Sequence, residues 1–340
     1  MQLAPVAQSP GNLVISQFEN YLEALRVQAG VPGLAATIVG EHSIVWERGF
    51  GRQDLEQLIP VTPDTAFQLD GLTQIVTASL VLRCVEEGRV TLDDPIGIYD
   101  RASVEPAATI RDILTHTSGS PGAAAYAYRP ERFAPLQTVI RSCTGNSFRE
   151  TVANTLEQIG MYSSVPGADV VTLTAPAEGI PELTQVDRYS QVLGRLAVPY
   201  GLDFRGSTFR TQYSATTLTP ASGLVSTVRD FALFDLALKR GLLMGPGTRT
   251  LTWQVPLDQN LQPLPHGLGW FVQSYRGEPV AWQFGISDQA SSSLAVTLPA
   301  RGLTLILLAN SDGLVKPFAL TGGDLTASPF GRVFLGLFVP

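Results

Sequence analysis

The chain has 340 residues, 44% of them apolar and 16% charged, and a net charge of −7. A chain of that size can bury a substantial core, as one large domain or two closely packed ones. The acidic balance argues against nucleic acid as the main partner, and no apolar run approaches the roughly 20 residues of a membrane span.

The opening MQLAPVAQSPG has neither a basic n-region nor an apolar h-region, so no signal peptide is expected in it. It fits a mature secreted or periplasmic chain behind a start Met as well as a cytoplasmic start, and the compartment stays open. Residues 33–51, GLAATIVGEHSIVWERGFG, form a pattern of two strands joined by the polar turn Gly40-Glu41-His42-Ser43. Asp70 is expected to be the N-cap of a helix over about 72–87, with Leu72, Ile75, Val76, Leu80 and Val85 as its apolar face and Gly88 as its end. TIRDILTH, 109–116, is a short helix capped by Thr109 and broken by TSGSPG, 117–122. Further helices are expected over about 147–160 and 227–239.

Beyond Pro265 the pattern changes. GLGWFVQS, PVAWQF, SSSLAVTLP and GLTLILLAN are short β-rich runs between turn residues, which predicts successive antiparallel strands. FGRVFLGLF predicts a closing helix. Strands first, helices in the middle and strands last predict an α/β (α+β) architecture. Its α/β subdomain is discontinuous, 15–66 and 260–340, around a mostly helical subdomain at 67–259, with a site between the two.

Cys84 and Cys143 make no disulfide framework. A bond between them is conceivable, but the apolar helical pattern around Cys84 favours a buried free thiol. Among the histidines, His42 falls in the hairpin turn and is expected to be solvated, His116 is expected to hold structure by hydrogen bonding, and His266 precedes a strand without further signal. No HExxH or other His/Asp/Glu constellation occurs, so neither a metal nor another cofactor is expected. A Gly-x-Ser-x-Gly elbow is also missing, which removes the α/β-hydrolase alternative.

Five segments, VPGLAATIV, TAFQLDGLTQIVTASLVLRCVEEGRVTLDDPI, TIRDILTHTSG, GLVSTVRDFALFDLAL and LTLILLANSDGL, lie in order between about 15 and 320. Together they resemble the class C β-lactamase, penicillin-binding D,D-peptidase and esterase superfamily. The resemblance implies a β-lactamase/transpeptidase-like fold, an antiparallel sheet flanked by helices with a mostly helical insertion. It also implies a serine nucleophile at a helix start in Ser-x-x-Lys, where one turn of helix brings the lysine amine to the serine oxygen. A Tyr-x-Asn element and a Lys/His-x-Gly strand complete such a site.

This chain departs from that pattern at each element. Phe67-Gln68-Leu69-Asp70-Gly71-Leu72-Thr73-Gln74 puts Gly71 at the nucleophile and Gln74 at the base. The only lysines are Lys239 and Lys316, and neither follows a serine by three residues. Tyr128-Arg129-Pro130 keeps the tyrosine and loses the asparagine; Gln283-Phe284-Gly285 keeps the glycine and loses the basic residue. Glycine has no attacking atom and glutamine takes no proton at neutral pH, so acyl-serine chemistry is not expected.

Each of these positions has two readings. Gly71 leaves room for a ligand carboxylate at a helix N-terminus, or is a harmless replacement after loss of function. Gln74 hydrogen-bonds a ligand amide or satisfies its neighbours. Tyr128 is a pocket donor or a packed aromatic. Thr73 lies roughly 200° around the helix from position 71 and points away. The ligand-binding set expected is therefore Gly71, Gln74, Tyr128, Gln283 and Gly285, with no catalytic residue of the family type.

The resemblance then implies a catalytically silent protein whose inherited cleft holds a small molecule or peptide, such as an acyl-D-alanine peptide, a β-lactam or a small ester. The alternative is a hydrolase or other enzyme with rebuilt non-serine chemistry, Tyr128 acting with Gln74 and Gln283. A third reading is an interaction module with a vestigial cleft. The oligomeric state is not readable.

Overall fold

The computed structural model describes residues 10–117, 126–172, 183–203, 205–214, 216–258 and 260–340. Its centre is a seven-stranded sheet in the order β3-β2-β1-β12-β11-β10-β9. The N-terminal strands are β1 (Gly33–Val39), β2 (Ile44–Asp54) and β3 (Ile59–Pro60). The C-terminal ones are β9 (Phe271–Tyr275), β10 (Glu278–Ser287), β11 (Ser291–Leu298) and β12 (Leu303–Ala309). Antiparallel pairing of β1 with β12, Leu34 opposite Ala309 through Val39 opposite Thr304, joins the two ends of the chain in one sheet. The strands expected from sequence are present, antiparallel, and in that part of the chain.

Both faces of this sheet are covered, and the side chains divide by the two-residue period of a strand. In β12, Leu305 and Leu307 enter one core with α1 (Pro10–Gln28) and α9 (Pro329–Phe338), while Ile306 and Leu308 enter the other. Phe18 of α1 meets Phe334 and Phe338 of α9 edge-on, at centroid distances of 6.0 and 5.8 Å. The closing helix is thus the expected one, whereas α1 is an addition to the expected elements, its polar and apolar residues being mixed along the sequence.

On the opposite face α2 (Thr73–Glu86) runs through the interior. Residues 73–82 and Cys84 are all buried, so the expected apolar stripe is in fact nearly the whole circumference. Gly88, at φ +68°, takes the left-handed conformation that ends it. The later helices obey their caps. Thr109 and Asp112 form a reciprocal capping box on α3 (Ile110–Leu114). Past α4 (Leu136–Thr144), Ser147 and Glu150 do the same for α5 (Phe148–Gln158). Beyond α6 (Leu183–Leu193), Thr227 caps α7 (Val228–Lys239), and α8 (Pro246–Thr252) follows. Most of the TSGSPG segment lies outside the described residues.

Two expectations are corrected. Asp70 does not cap the helix: a 3₁₀ turn, Asp70–Leu72, precedes α2, and no side chain caps either. Asp70 itself sits at φ +48°, which turns its carboxylate away from the helix toward the sheet. Nor are the cysteines free. Cys84 of α2 and Cys143 of α4 form a disulfide, with Cα atoms 6.1 Å apart, because the two helices pack side by side.

Three short strands place the head of α2. β4 (Phe67–Gln68) leads straight into the 3₁₀ turn and pairs with β8 (Leu224–Ser226), which also pairs with β5 (Val165–Pro166). A separate two-stranded ribbon, β6 (Tyr200–Leu202) with β7 (Thr208–Arg210), lies beyond them. Among the described residues no helix is long and apolar enough to cross a membrane.

Both lysines are committed elsewhere. Lys239 forms a buried pair with Asp235 at 2.7 Å and donates to the carbonyls of Gly40 and Gly302. Lys316 pairs with Asp312 at 3.0 Å and with Asp288. Neither stands in for the missing base.

Candidate functional site

The segment before α2 is fastened to the sheet by serines of β11. Ser293 Oγ donates to the Leu69 carbonyl at 2.7 Å, and Ser291 Oγ donates to Asp70 Oδ2 at 2.7 Å. The Leu69 N–H donates to Leu224 O at 2.8 Å from the other side. This brings Gly71 against β10. A β-carbon at Gly71 would lie 2.4 Å from the Phe284 carbonyl oxygen and 3.1 Å from the Gly285 Cα. One at Gly285 would lie 2.5 Å from Gly71 N, Leu69 O and Ser293 Oγ alike. Two backbones meet where the family pattern would put a serine side chain.

Beside that contact opens a cavity of about 530 Å³. Tyr128, Pro130, Glu131 and Ala134 form one wall, Phe284, Gly285 and Ile286 another, and Thr219, Ala221 and Ser222 a third, with Gly71 at the base. Of the five residues expected to bind, Gly71, Tyr128 and Gly285 come together here. Gln74 and Gln283 are buried beneath and do not line it. The room once expected at Gly71 for a ligand carboxylate is taken by the Phe284 carbonyl.

Gln74 belongs to a chain of hydrogen bonds with a fixed direction. The Arg129 N–H donates to His116 Nδ1 at 3.2 Å, so the neutral ring carries its proton on Nε2. That nitrogen meets Gln74 Oε1 at 3.1 Å, and Gln74 Nε2 donates to the Tyr128 hydroxyl at 2.8 Å. Tyr128 thereby accepts from within and keeps its own O–H for the cavity. Its ring is held by Phe284 and Phe271, at 5.1 and 5.3 Å.

His266 lies against His116, ring centroids 4.5 Å apart. Its Nδ1 meets the Gly267 carbonyl at 2.8 Å, and Gln283 Nε2 approaches its Nε2 at 3.4 Å. The seam is uncharged throughout. Burial pushes His266 down to about 4, and burial, then the proximity of His266, holds His116 well below the usual imidazole value. Burial raises the Tyr128 phenol far above its ordinary value, and the Gln74 bond offsets only part of this. Tyr128 is therefore a hydrogen-bond donor at neutral pH and not a base.

His116 has the hydrogen-bonding role expected of it and His42 is exposed, as expected. Thr73 is buried and its hydroxyl accepts from Leu224 N, away from the cavity. Sequence reasoning missed Glu131, Thr219, Ser222 and the part played by His266. No spacing signals them, because each reaches the site from a loop or a short turn. Among the described residues no cluster of His, Cys, Asp or Glu is arranged to hold a metal.

Asp70 gives a test of the packing. Burial raises its carboxyl from the ordinary value near 3.8 to about 7, opposed by the Ser291 hydrogen bond. Between those two values the folded state holds a proton that the unfolded state has released. The contribution to stability is thus full below about pH 3.8 and is lost as pH rises through about 7. Asp70→Asn keeps an acceptor for Ser291 and suits the positive φ. It is expected to stabilise the protein by about 2 kcal/mol at pH 8, half the ceiling of about 4 kcal/mol that the displacement sets. The gain should shrink toward zero near pH 4. Urea unfolding of both proteins at the two pH values checks this; an equal effect at both would remove the titration from the explanation.

A family model described as Beta-lactamase matches residues 18–323. Among curated proteins, the mitochondrial serine beta-lactamase-like protein LACTB of Mus musculus is 24% identical over 123 residues, 34% of this chain and 22% of that protein. Protein flp of Staphylococcus aureus (strain NCTC 8325 / PS 47) is 24% identical over 111 residues, 31% of this chain and 22% of that one. These matches span about a fifth of the relatives' length. Of solved structures, the octameric penicillin-binding protein homologue from Pyrococcus abyssi superposes with a TM-score of 0.73 at 18% identity, over 95% of this chain and 77% of that one. The beta-lactamase from Sulfitobacter sp. EE-36 gives 0.71 at 16% identity, over 97% of each chain. At such identities these likenesses show the fold.

Proposed function

The chain belongs to the β-lactamase family, and on that premise we propose that its cleft binds a small molecule or peptide without acyl-serine chemistry. One observation carries the reading. The nucleophile position is a glycine whose side-chain space is already filled by the Phe284 carbonyl, 2.4 Å from where a β-carbon would stand. Gln74, at the position of the base, spends both ends of its amide on His116 and Tyr128. Beside this disabled pair the cavity persists at about 530 Å³, within the size range of small-molecule sites. An open cavity favours ligand binding over a vestigial cleft on an interaction module.

The amidase and lactamase activities named for structural neighbours, such as the D-amino acid amidase from Ochrobactrum anthropi SV3, belong to those proteins. A rebuilt chemistry in this chain would need Tyr128 to take up or release a proton, which its burial opposes. It would also need Gln283 in the cleft, where it is not. Incubation with a fluorescent penicillin and with a fluorophosphonate should give no covalent adduct by intact mass. Stoichiometric labelling by either reagent would overturn the proposal.

A further inference from the structure

We propose that the ligand of this cleft is an apolar molecule carrying a protonated amine, and that carboxylates are excluded; this rests on the reading of the cleft as a binding site. The cavity walls are largely apolar, with Pro130, Ala134, Ala221, Phe284 and Ile286 among them. The one charged group among the described lining residues is Glu131. No described side chain bonds its carboxylate, so it is free to meet a ligand cation.

No described residue that lines the cavity is positively charged. Both lysines are held in ion pairs with Asp235 and with Asp312 and Asp288. Arg132 is paired with Glu105 at 2.9 Å, and Arg129 and Arg132 line a neighbouring cavity that shares Glu131 and Ala134 with this one, and not this cavity itself. None of the residues outside the described set is Lys, Arg or His. Gln283, at the position where the family pattern has a basic residue, lies beneath the floor and is neutral.

A carboxylate entering such a cavity would lose water and gain no cation, while meeting Glu131 in a chain of net charge −7. An ammonium group would gain Glu131. At the other end of the wall, Tyr128 accepts from Gln74 and offers its own proton outward, so it suits an acceptor such as a carbonyl or ether oxygen. The expected ligand is an apolar body with a cation toward Glu131 and an acceptor toward Tyr128.

The test uses three probes of one shape with the full chain at pH 7: 2-phenylethylamine, phenylacetamide and phenylacetate, each titrated by calorimetry and by protein-observed NMR. The amine should bind about tenfold more tightly than the carboxylate, with the amide between them. Glu131→Gln should weaken the amine about threefold or more and leave the amide unchanged, whereas Tyr128→Phe should weaken the amide. If phenylacetate binds as tightly as the amine, or Glu131→Gln leaves the amine unaffected, the inference about charge is wrong and the cleft remains a binding site. If none of the three binds and the resonances of the lining residues do not move, the binding reading itself fails, and the inference with it.

Discussion

The double variant Gly71→Ser/Gln74→Lys, which restores the family's catalytic pair in sequence, is expected to lose stability and gain no covalent activity. The serine Cβ would stand 2.4 Å from the Phe284 carbonyl oxygen and 3.1 Å from the Gly285 Cα. Both are backbone atoms of β10, at residues paired with Leu294 and Ser293 of β11, so neither can swing away as a side-chain tip would. Overpacking of that kind costs about 3 kcal/mol. The lysine would put an ammonium between His116 and Tyr128, where Gln74 now satisfies both, at a further cost on the order of 2 kcal/mol. Gly71→Ala, with the same added carbon and no hydroxyl, separates the terms and should lose about as much as Gly71→Ser alone. Chemical unfolding gives the stabilities, and mass spectrometry after incubation with a penicillin gives the chemistry. A double variant as stable as the parent that is acylated stoichiometrically would show that the strand yields and that two substitutions are the whole difference from a working enzyme.

Replacing Cys84 and Cys143 together by alanine is expected to lower the unfolding free energy by about 4 kcal/mol. The bond spans a separation of 59 residues, and closing a loop of that length removes about this much conformational freedom from the unfolded chain. The two helices it joins are otherwise held by apolar packing, so the native fold should persist in the variant with a lower midpoint in urea. Dithiothreitol should lower the parent's midpoint toward that of the variant and leave the variant's own unchanged. Two thiols titrated in the native, unreduced protein, or a variant with the parent's midpoint, would refute the expectation.

The parts of this fold legible in sequence are those set by local rules. Capping residues at Thr109, Ser147 and Thr227 mark helix starts because a side-chain oxygen at that position satisfies a backbone N–H nearby. The short apolar run LTLILLA marks β12 because a strand covered on both faces has no polar side to show. Long-range contacts gave no such sign. Asp70 has the residue type and spacing of a cap, yet Ser291, 221 positions away, takes its carboxylate. Cys84 sits in an apolar pattern that suits a thiol, and its partner is visible only once α2 and α4 lie together.

The site divides along the same line. Gly71, Tyr128 and Gly285 could be placed from an ordered motif because the motif encodes backbone geometry. The depth of Gln74 and Gln283 could not, since side-chain exposure depends on what packs above. Glu131 carried no signal at all, having its meaning only from the cavity it faces.

The scarcity of lysine has a practical corollary. Of two ε-amines in the whole chain, the Lys239 side chain is 6% exposed and the Lys316 side chain 48%. An amine-reactive dye or resin therefore meets a single accessible lysine on the folded molecule, and none in the cleft. Coupling through that side chain would hold the molecule by a point outside its pocket.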